Sequence, residues 1–444
     1  MRGQSGRSAP VIGDAAFSLG SAPPGEPGPG RESEAFGSSR LRPIPRVNIQ
    51  AFCEDQDTAA AIERAAQDRR LSRARVSVQM GGIDGACAFY RNAATPNLIV
   101  IESLLDRATM LAELDRLAGL CDPATKVMVV GHLNDVVLYR ELLRRGVSEY
   151  LVAPVSVLQI IETLSGLYSD PQARPIGQTI AFVGAKGGSG SSTVCHNTAF
   201  AIAASLEREV VIADFDLPFG TAGLDFNQDP PQGIADALAA PHRFDALKLD
   251  RLLSRCSDFL SLFAAPGTLD RPYDLDAGSC ETVLDVVRDS APWIALDVPH
   301  LWTEWAKELM MRADHVVVTA VPDIANLRNA KNLIDQIKAS RPNDRPPLLV
   351  LNQVGLSKRP EVALEDFRAG VDLAPGIVID FDAQLFGTAA NNGQMIEEVS
   401  SRSKAAEAFR KLAALLTDRS ERKAERPSSL WSMLARLKGA KPGG

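Results

Sequence analysis

The chain has 444 residues, 45% apolar and 23% charged, a length that exceeds one compact core and predicts two or three domains of ordinary globular composition. A net charge of −7 and a pI near 5.5 exclude a broad basic surface of the nucleic-acid-binding kind. Six cysteines without a C-x-x-C pair and five histidines without ligand spacing carry no signal for a disulfide framework or a metal site of that kind.

The N-terminus lacks an apolar signal core, and no apolar run reaches the roughly 18 residues of a membrane span; the expected location is cytoplasmic. Residues 1–46 hold 22 Gly, Pro or Ser and no periodic apolar face. Such a stretch cannot bury enough surface to offset its chain entropy, which predicts a disordered arm, the alternative being a recognition segment that orders on a partner. Residues 47–168 alternate short apolar runs with helical stretches. "RVNIQAF", "RVSVQM", "NLIVIES", "KVMVVGH" and "EYLVAP" read as strands; "DTAAAIERAAQDRRL", "MLAELDRLAGL", "DVVLYRELLRRG" and "VLQIIETLSGLY" read as helices. Five strands alternating with five helices, four quoted and one that the alternation requires between "RVSVQM" and "NLIVIES", predict a doubly wound parallel sheet.

The order of these elements, and "RRGVSEYLVAPVS" above all, resembles the receiver domain of response regulators. That resemblance places a phosphate-accepting aspartate at the end of the third strand, where this chain has Glu102. Gly131 stands for the Thr/Ser after the fourth strand and Ala153 for the lysine before the proline; the acidic pair Glu54 and Asp55 is kept in kind. The implied module is an atypical receiver-like domain without ordinary aspartyl phosphorylation, used for docking or dimerisation.

Residues 169–177, polar with two prolines, predict a linker. A second domain, 178–417, opens with "TIAFVGAKGGSGSSTVCHNTAFAIAASL": strand, glycine loop, helix. Gly187, Gly188, Ser189, Gly190, Ser191, Ser192 and Thr193 form the candidate phosphate cradle, whose backbone N–H groups and helix N-terminus suit an anion. Ser192 stands where a Mg²⁺-binding hydroxyl belongs. "EVVIADFDLPFG" ends in Asp214 and Asp216 and "WIALDVP" in Asp297; carboxylates at the ends of neighbouring parallel strands converge on the loop side of a sheet, where they can hold Mg²⁺ or its waters.

This motif set resembles the deviant Walker A ATPases, the family of MinD and ParA. The resemblance implies ATP and Mg²⁺ as ligands, and makes Lys186 the lysine that reaches across a homodimer. It gives Asp216 to water activation, Asp214 and Asp297 with Ser192 to the metal, and Asn352 in "LLVLNQV" to the adenine. The loop lysine of the family is replaced by Ser191. A charge-assisted hydrogen bond contributes roughly 1.5–3 kcal/mol, so affinity is expected to fall about tenfold to a hundredfold, and hydrolysis further, because charge is lost where the transition state develops it. An enzyme here is at most a slow ATPase. A receiver-like domain, this loop and "FDAQLFGTAANNGQMIEEVSSRSKAAEAFRKLA" together resemble the CpaE/TadZ group of Flp-type (Tad) pilus assembly proteins.

That resemblance implies a nucleotide-controlled dimeric scaffold, working with a pilus secretion ATPase and other assembly proteins at the inner membrane or a cell pole, without specific nucleic acid. The alternative is an active ParA/MinD-like ATPase that positions cargo such as DNA or a division complex. The tail, 418–444, carries seven Lys/Arg against three Asp/Glu, with Leu430, Met433, Leu434 and Leu437 at helical spacing beside Trp431. A basic amphipathic helix over 428–438 suits an anionic membrane surface, a partner or the chain's own domains.

Overall fold

The computed structural model describes residues 44–169, 176–269 and 272–417. The expectations for the N-terminal arm, most of the linker and the basic tail lie outside the described residues. What is described builds on two parallel sheets, as the alternating pattern predicts.

The first sheet holds β1 (Asn48–Cys53), β2 (Arg75–Met80), β3 (Leu98–Ser103), β4 (Lys126–Gly131) and β5 (Glu149–Val152) in the order β2-β1-β3-β4-β5, all parallel. Every residue of β3 is buried, which is why an unbroken apolar run sits at the centre. Five helices cover the sheet: Gln56–Ala66, Gly82–Tyr90, Arg107–Ala118, Val136–Arg144 and Val157–Tyr168. The last begins in a Ser156/Gln159 capping box, which satisfies end donors that a helix cannot satisfy itself.

Two local readings change. The helix expected over 57–71 stops at Ala66, and Arg69–Leu71 forms a separate 3₁₀ turn capped by Asp68. The unnamed helix Gly82–Tyr90 buries Ile83, Ala86, Cys87 and Tyr90, a helical spacing interrupted by small residues. Its glycines serve a close approach: Gly82 lies at φ 52, and a Cβ there would stand 2.3 Å from Glu54 Oε1.

Glu102 is wholly buried at the end of β3. Its carboxylate accepts from the Glu54 N–H (2.9 Å), the Asp55 N–H (2.8 Å) and the Thr58 hydroxyl (2.6 Å), with His132 Nε2 at 3.3 Å. A Cβ on Gly131 would stand 2.3 Å from the Tyr150 hydroxyl, which donates instead to the Leu133 carbonyl. The corner formed by Glu54, Glu102 and Gly131 is closed by hydrogen bonds and an aromatic ring. Glu102→Ala strands two half-buried N–H groups and the buried Thr58 hydroxyl, so a stability loss of about 1–3 kcal/mol is expected; a urea midpoint unchanged from wild type would refute a structural role for this carboxylate.

The second sheet has eight strands in the order β13-β12-β11-β6-β10-β7-β9-β8. They are β6 (Gln178–Gly184), β7 (Val210–Asp214), β8 (Ser254–Ser257), β9 (Leu260–Phe263), β10 (Trp293–Val298), β11 (His315–Ala320), β12 (Leu348–Val354) and β13 (Pro375–Asp380), with only the β8–β9 pair antiparallel among the described residues. β6 lies between β10 and β11, so its glycine loop emerges at the middle of the edge formed by the strand C-termini. Helix Ser191–Leu206 follows the loop and is covered by helix Lys404–Leu416, whose Ala405, Phe409, Leu412 and Leu416 share one core with Ala199 and Ile202.

The two sheets meet through arginines of the 3₁₀ turn. Arg69 donates from Nε to Asp344 Oδ2 (2.8 Å), and from Nη1 to Asp314 Oδ1 (3.2 Å) and the Arg312 carbonyl (3.0 Å). Arg70, also buried, pairs with Asp68 and Asp344, while Arg73 reaches Glu281 (2.7 Å) and Asp285 (2.5 Å). Asp314 sits just before β11 and also receives the Thr179 N–H and hydroxyl at the start of β6. The junction therefore lies at the N-terminal ends of the strands, opposite the glycine loop.

Candidate functional site

The loop leaves β6 after Gly184 and enters helix Ser191–Leu206 through Gly190. Gly188 (φ 81) and Gly190 (φ 85) occupy the left-handed region that glycine enters without penalty. At Gly190 a Cβ would stand 2.4 Å from Asn352 Nδ2, so the position is closed to larger residues; at Gly187 and Gly188 it would meet nothing within 4 Å. The loop carbonyls are taken by side chains of neighbouring segments. His300 Nδ1 lies 2.8 Å from the Gly184 oxygen, Asn329 donates to Ala185 (3.0 Å), Gln353 to Gly188 (3.0 Å) and Asn352 to Ser189 (2.9 Å). The N–H groups of Gly187, Gly188 and Gly190 have no acceptor among the described residues.

The hydroxyls of Ser189 and Ser191 are buried without a hydrogen-bond partner. An unmet buried polar atom is costly, and here two stand beside open backbone donors at a helix N-terminus. That arrangement fits an anionic phosphate chain. Ser192 and Thr193, in the first turn of the helix, are half-buried. Lys186 is exposed at the tip of the loop. Its charge, after the hydrogen bonds from Asn326, helps hold the Asp323 carboxyl below its usual range against the opposing effect of burial.

The register of β7 and β10 sets Asp214 directly beside Asp297. Both are buried, and Asp216 follows two residues on, half-exposed. Asp214 accepts from the Asp216 N–H (3.0 Å) through one oxygen and from the Ala222 N–H (3.3 Å) through the other. Burial, and then the Asp297 charge, push Asp214 above the usual carboxylate range. Burial likewise raises Asp216. Hard oxygen donors side by side at a strand edge fit Mg²⁺.

Sequence reasoning missed the group that closes this cluster. His196, wholly buried in the helix, has Nδ1 2.7 Å from Asp225 Oδ2 and Nε2 3.2 Å from Asp297 Oδ2. Burial opposes its charge, but the nearby carboxylates of Asp225 and Asp297 outweigh that, and its pKa is pushed up to about 10. A histidine inside the apolar stretch "TVCHNTAFAIA" was the available signal, since a buried ring needs partners for both nitrogens. Asn352, expected at the adenine, is 6% exposed and spends its amide on the loop carbonyl. Loop, Asp214, Asp216 and Asp297 therefore lie along one edge of the sheet, and Asn352 holds the loop through the Ser189 carbonyl.

The crystal structure of the pilus assembly protein CpaE from Caulobacter crescentus CB15 is 52% identical to this chain, covering 29% of it and 98% of its own length, with a TM-score of 0.29. A Sinorhizobium meliloti 1021 structure assigned as a CpaE2 pilus assembly protein is 41% identical, covering 28% of this chain and 100% of its own, with a TM-score of 0.27. Both match the N-terminal part. The ParA family ATPase from Chlorobium tepidum TLS is 21% identical, covers 54% of this chain and 98% of its own, and has a TM-score of 0.48. No curated protein matches the chain. The family model described as "Cellulose biosynthesis protein BcsQ" matches residues 178–415, more than half of the chain. Through that region the chain belongs to the BcsQ family, and it joins it to an N-terminal part similar to CpaE pilus assembly proteins.

Proposed function

We propose that the chain is an ATP-binding pilus assembly and localisation protein of the CpaE/TadZ type, a nucleotide-controlled dimeric scaffold for the Flp/Tad secretion machine with slow or absent hydrolysis. The observation that carries the reading is the glycine loop: the amides of Gly187, Gly188 and Gly190 and two buried hydroxyls lack partners among the described residues, while Lys186 stands exposed at its tip. Exposed apolar residues ring the same edge. Phe219 follows β7, Leu301 and Trp302 follow β10, and Ile324 follows β11. Apolar surface around a ligand site suits a partner that closes over it.

On this reading, Gly187, Gly188, Ser189, Gly190, Ser191, Ser192 and Thr193 hold the phosphates of ATP. Ser192 and Asp297 hold Mg²⁺, and Asp214, whose oxygens already take backbone N–H groups, acts through water. Bound Mg²⁺ supplies charge neutralisation on the phosphates. Lys186 completes the site of a second copy, so that ATP becomes an interfacial ligand and favours the homodimer by mass action. Asp216 orients water, its raised pKa making it a stronger proton acceptor. With Ser191 in place of the loop lysine, hydrolysis is slow. The partners are the pilus secretion ATPase and its assembly proteins, at the inner membrane or a cell pole, with peripheral membrane contact through 428–438 as one route. No helix among the described residues is long and apolar enough to cross a membrane.

Calorimetry with Mg-ATP, paired with light scattering, tests the reading on the full chain. Binding accompanied by a doubling of mass is expected. Absence of binding would sink the nucleotide reading, and DNA-stimulated hydrolysis at rates typical of active ATPases would favour a cargo-moving ParA-like role instead.

A further inference from the structure

We infer that His196 is a positioning residue that ties Asp297 to the helix Ala222–Asp225, and so couples the nucleotide edge to the apolar surface carried by residues 216–225. The inference rests on the nucleotide reading above. Three side-chain anchors hold this segment, each ending on a carboxylate of the site or on His196, beside one backbone bond from the Gly267 N–H to the Leu217 carbonyl (3.1 Å). Asp214 takes the Asp216 N–H through one oxygen and the Ala222 N–H through the other. His196 takes Asp225 through Nδ1 at 2.7 Å while Nε2 lies 3.2 Å from Asp297. The imidazole also packs against Phe226 just beyond, with ring centroids 5.7 Å apart.

Between these anchors the segment presents two large apolar side chains to solvent, Phe219 at 67% and Leu224 at 73% exposure. A Cβ on Gly220 would stand 2.3 Å from Asp214 Oδ2, so the backbone runs tight against that carboxylate. A ligand that draws on Asp214 therefore acts on two of these anchors, and one that draws on Asp297 acts on the third through His196. A histidine kept only to fill the core would pack equally well without its two carboxylate partners lying on different elements, one at a strand end and one on the surface helix.

The experiment compares the wild type, Asp225→Ala and Asp225→Asn in the full chain. Hydrogen exchange is read over residues 216–228 with and without Mg-ATP, and Mg-ATP affinity is read by calorimetry. In the wild type, Mg-ATP is expected to slow exchange in this segment by on the order of tenfold. Asp225→Ala should abolish that slowing while changing affinity by less than about threefold, a coupling loss rather than a binding loss. Asp225→Asn, which can still accept from Nδ1, should restore it and remains informative if the alanine variant does not fold. A wild-type response retained in Asp225→Ala, or lost equally in Asp225→Asn, would overturn the inference and leave the nucleotide reading standing. A wild type that binds Mg-ATP with no exchange response in the segment would do the same. A wild type that does not bind Mg-ATP would overturn both.

Discussion

Arg69→Ala is expected to cost about 3 kcal/mol, the upper scale of losing hydrogen bonds made by a charged group, and to split a single thermal transition into two. Arg69 is the hub of the junction between the sheets: its side chain is 10% exposed and reaches Asp314, Asp344 and the Arg312 carbonyl. Removal leaves Asp314 with Arg288 and Asp344 with Arg70 and Arg341, so the carboxylates stay paired; Asp314 loses its link to the first sheet and Asp344 keeps one through Arg70 alone. Arg69→Lys keeps the charge and loses the fork that meets two carboxylates at once, so it should fall between wild type and alanine. Differential scanning calorimetry is the measurement. A single transition at the wild-type midpoint would show that Arg69 is dispensable and that the Arg70 and Arg73 pairs hold the junction without it.

The same junction sets an acid limit. Burial works against ionisation of Asp344, but Arg69, Arg341 and Arg70 outweigh it and hold its carboxyl well below the usual range. Arg288, Arg69 and the Thr179 N–H do the same for buried Asp314. A carboxylate whose pKa is depressed in the fold binds fewer protons folded than unfolded. Its contribution is therefore complete above the unfolded value of about 3.9 and is lost as pH falls through the folded values. The junction should loosen only below about pH 4. Because the charges are buried, added salt should shift that limit little.

Lys186→Ala is expected to abolish ATP-driven dimerisation while leaving the monomer folded, because Lys186 is exposed and makes no ion pair among the described residues. A charge-assisted hydrogen bond contributes about 1.5–3 kcal/mol, so the dimer should weaken at least tenfold at each of two related sites. Monomer affinity for Mg-ATP should hold if the lysine acts across the interface, and fall if it acts within its own loop. Light scattering at matched ATP saturation separates these outcomes. Dimerisation equal to wild type would show that Lys186 has no part in a shared site.

Much of this protein was determined by sequence alone. Apolar runs such as "LIVIES" and "TIAFVG" cannot lie anywhere but inside a sheet covered on both faces, because burial of consecutive residues needs cover on both sides. Their alternation with helical patterns leaves the doubly wound arrangement as the economical solution. The glycines of the loop, and aspartates at two strand ends, were legible because strand C-termini share one edge whatever the detailed packing. The place of Glu102 at the end of a buried strand was legible too, by position.

Only the tertiary structure decided how these parts are connected. Arg69 and Asp344 stand 275 residues apart, and no local pattern distinguishes an arginine that ends a helix from one that crosses to another sheet. The helix Gly82–Tyr90 was obscured because three glycines at 81, 82 and 85 weaken its propensity while permitting its contact with Glu54. His196 carried no signal by spacing, since its partners, Asp225 and Asp297, come from a surface helix and a strand end. Periodicity records which side of an element faces the core; it does not record which polar groups meet once the core has formed, and those meetings hold both the junction and the candidate site together.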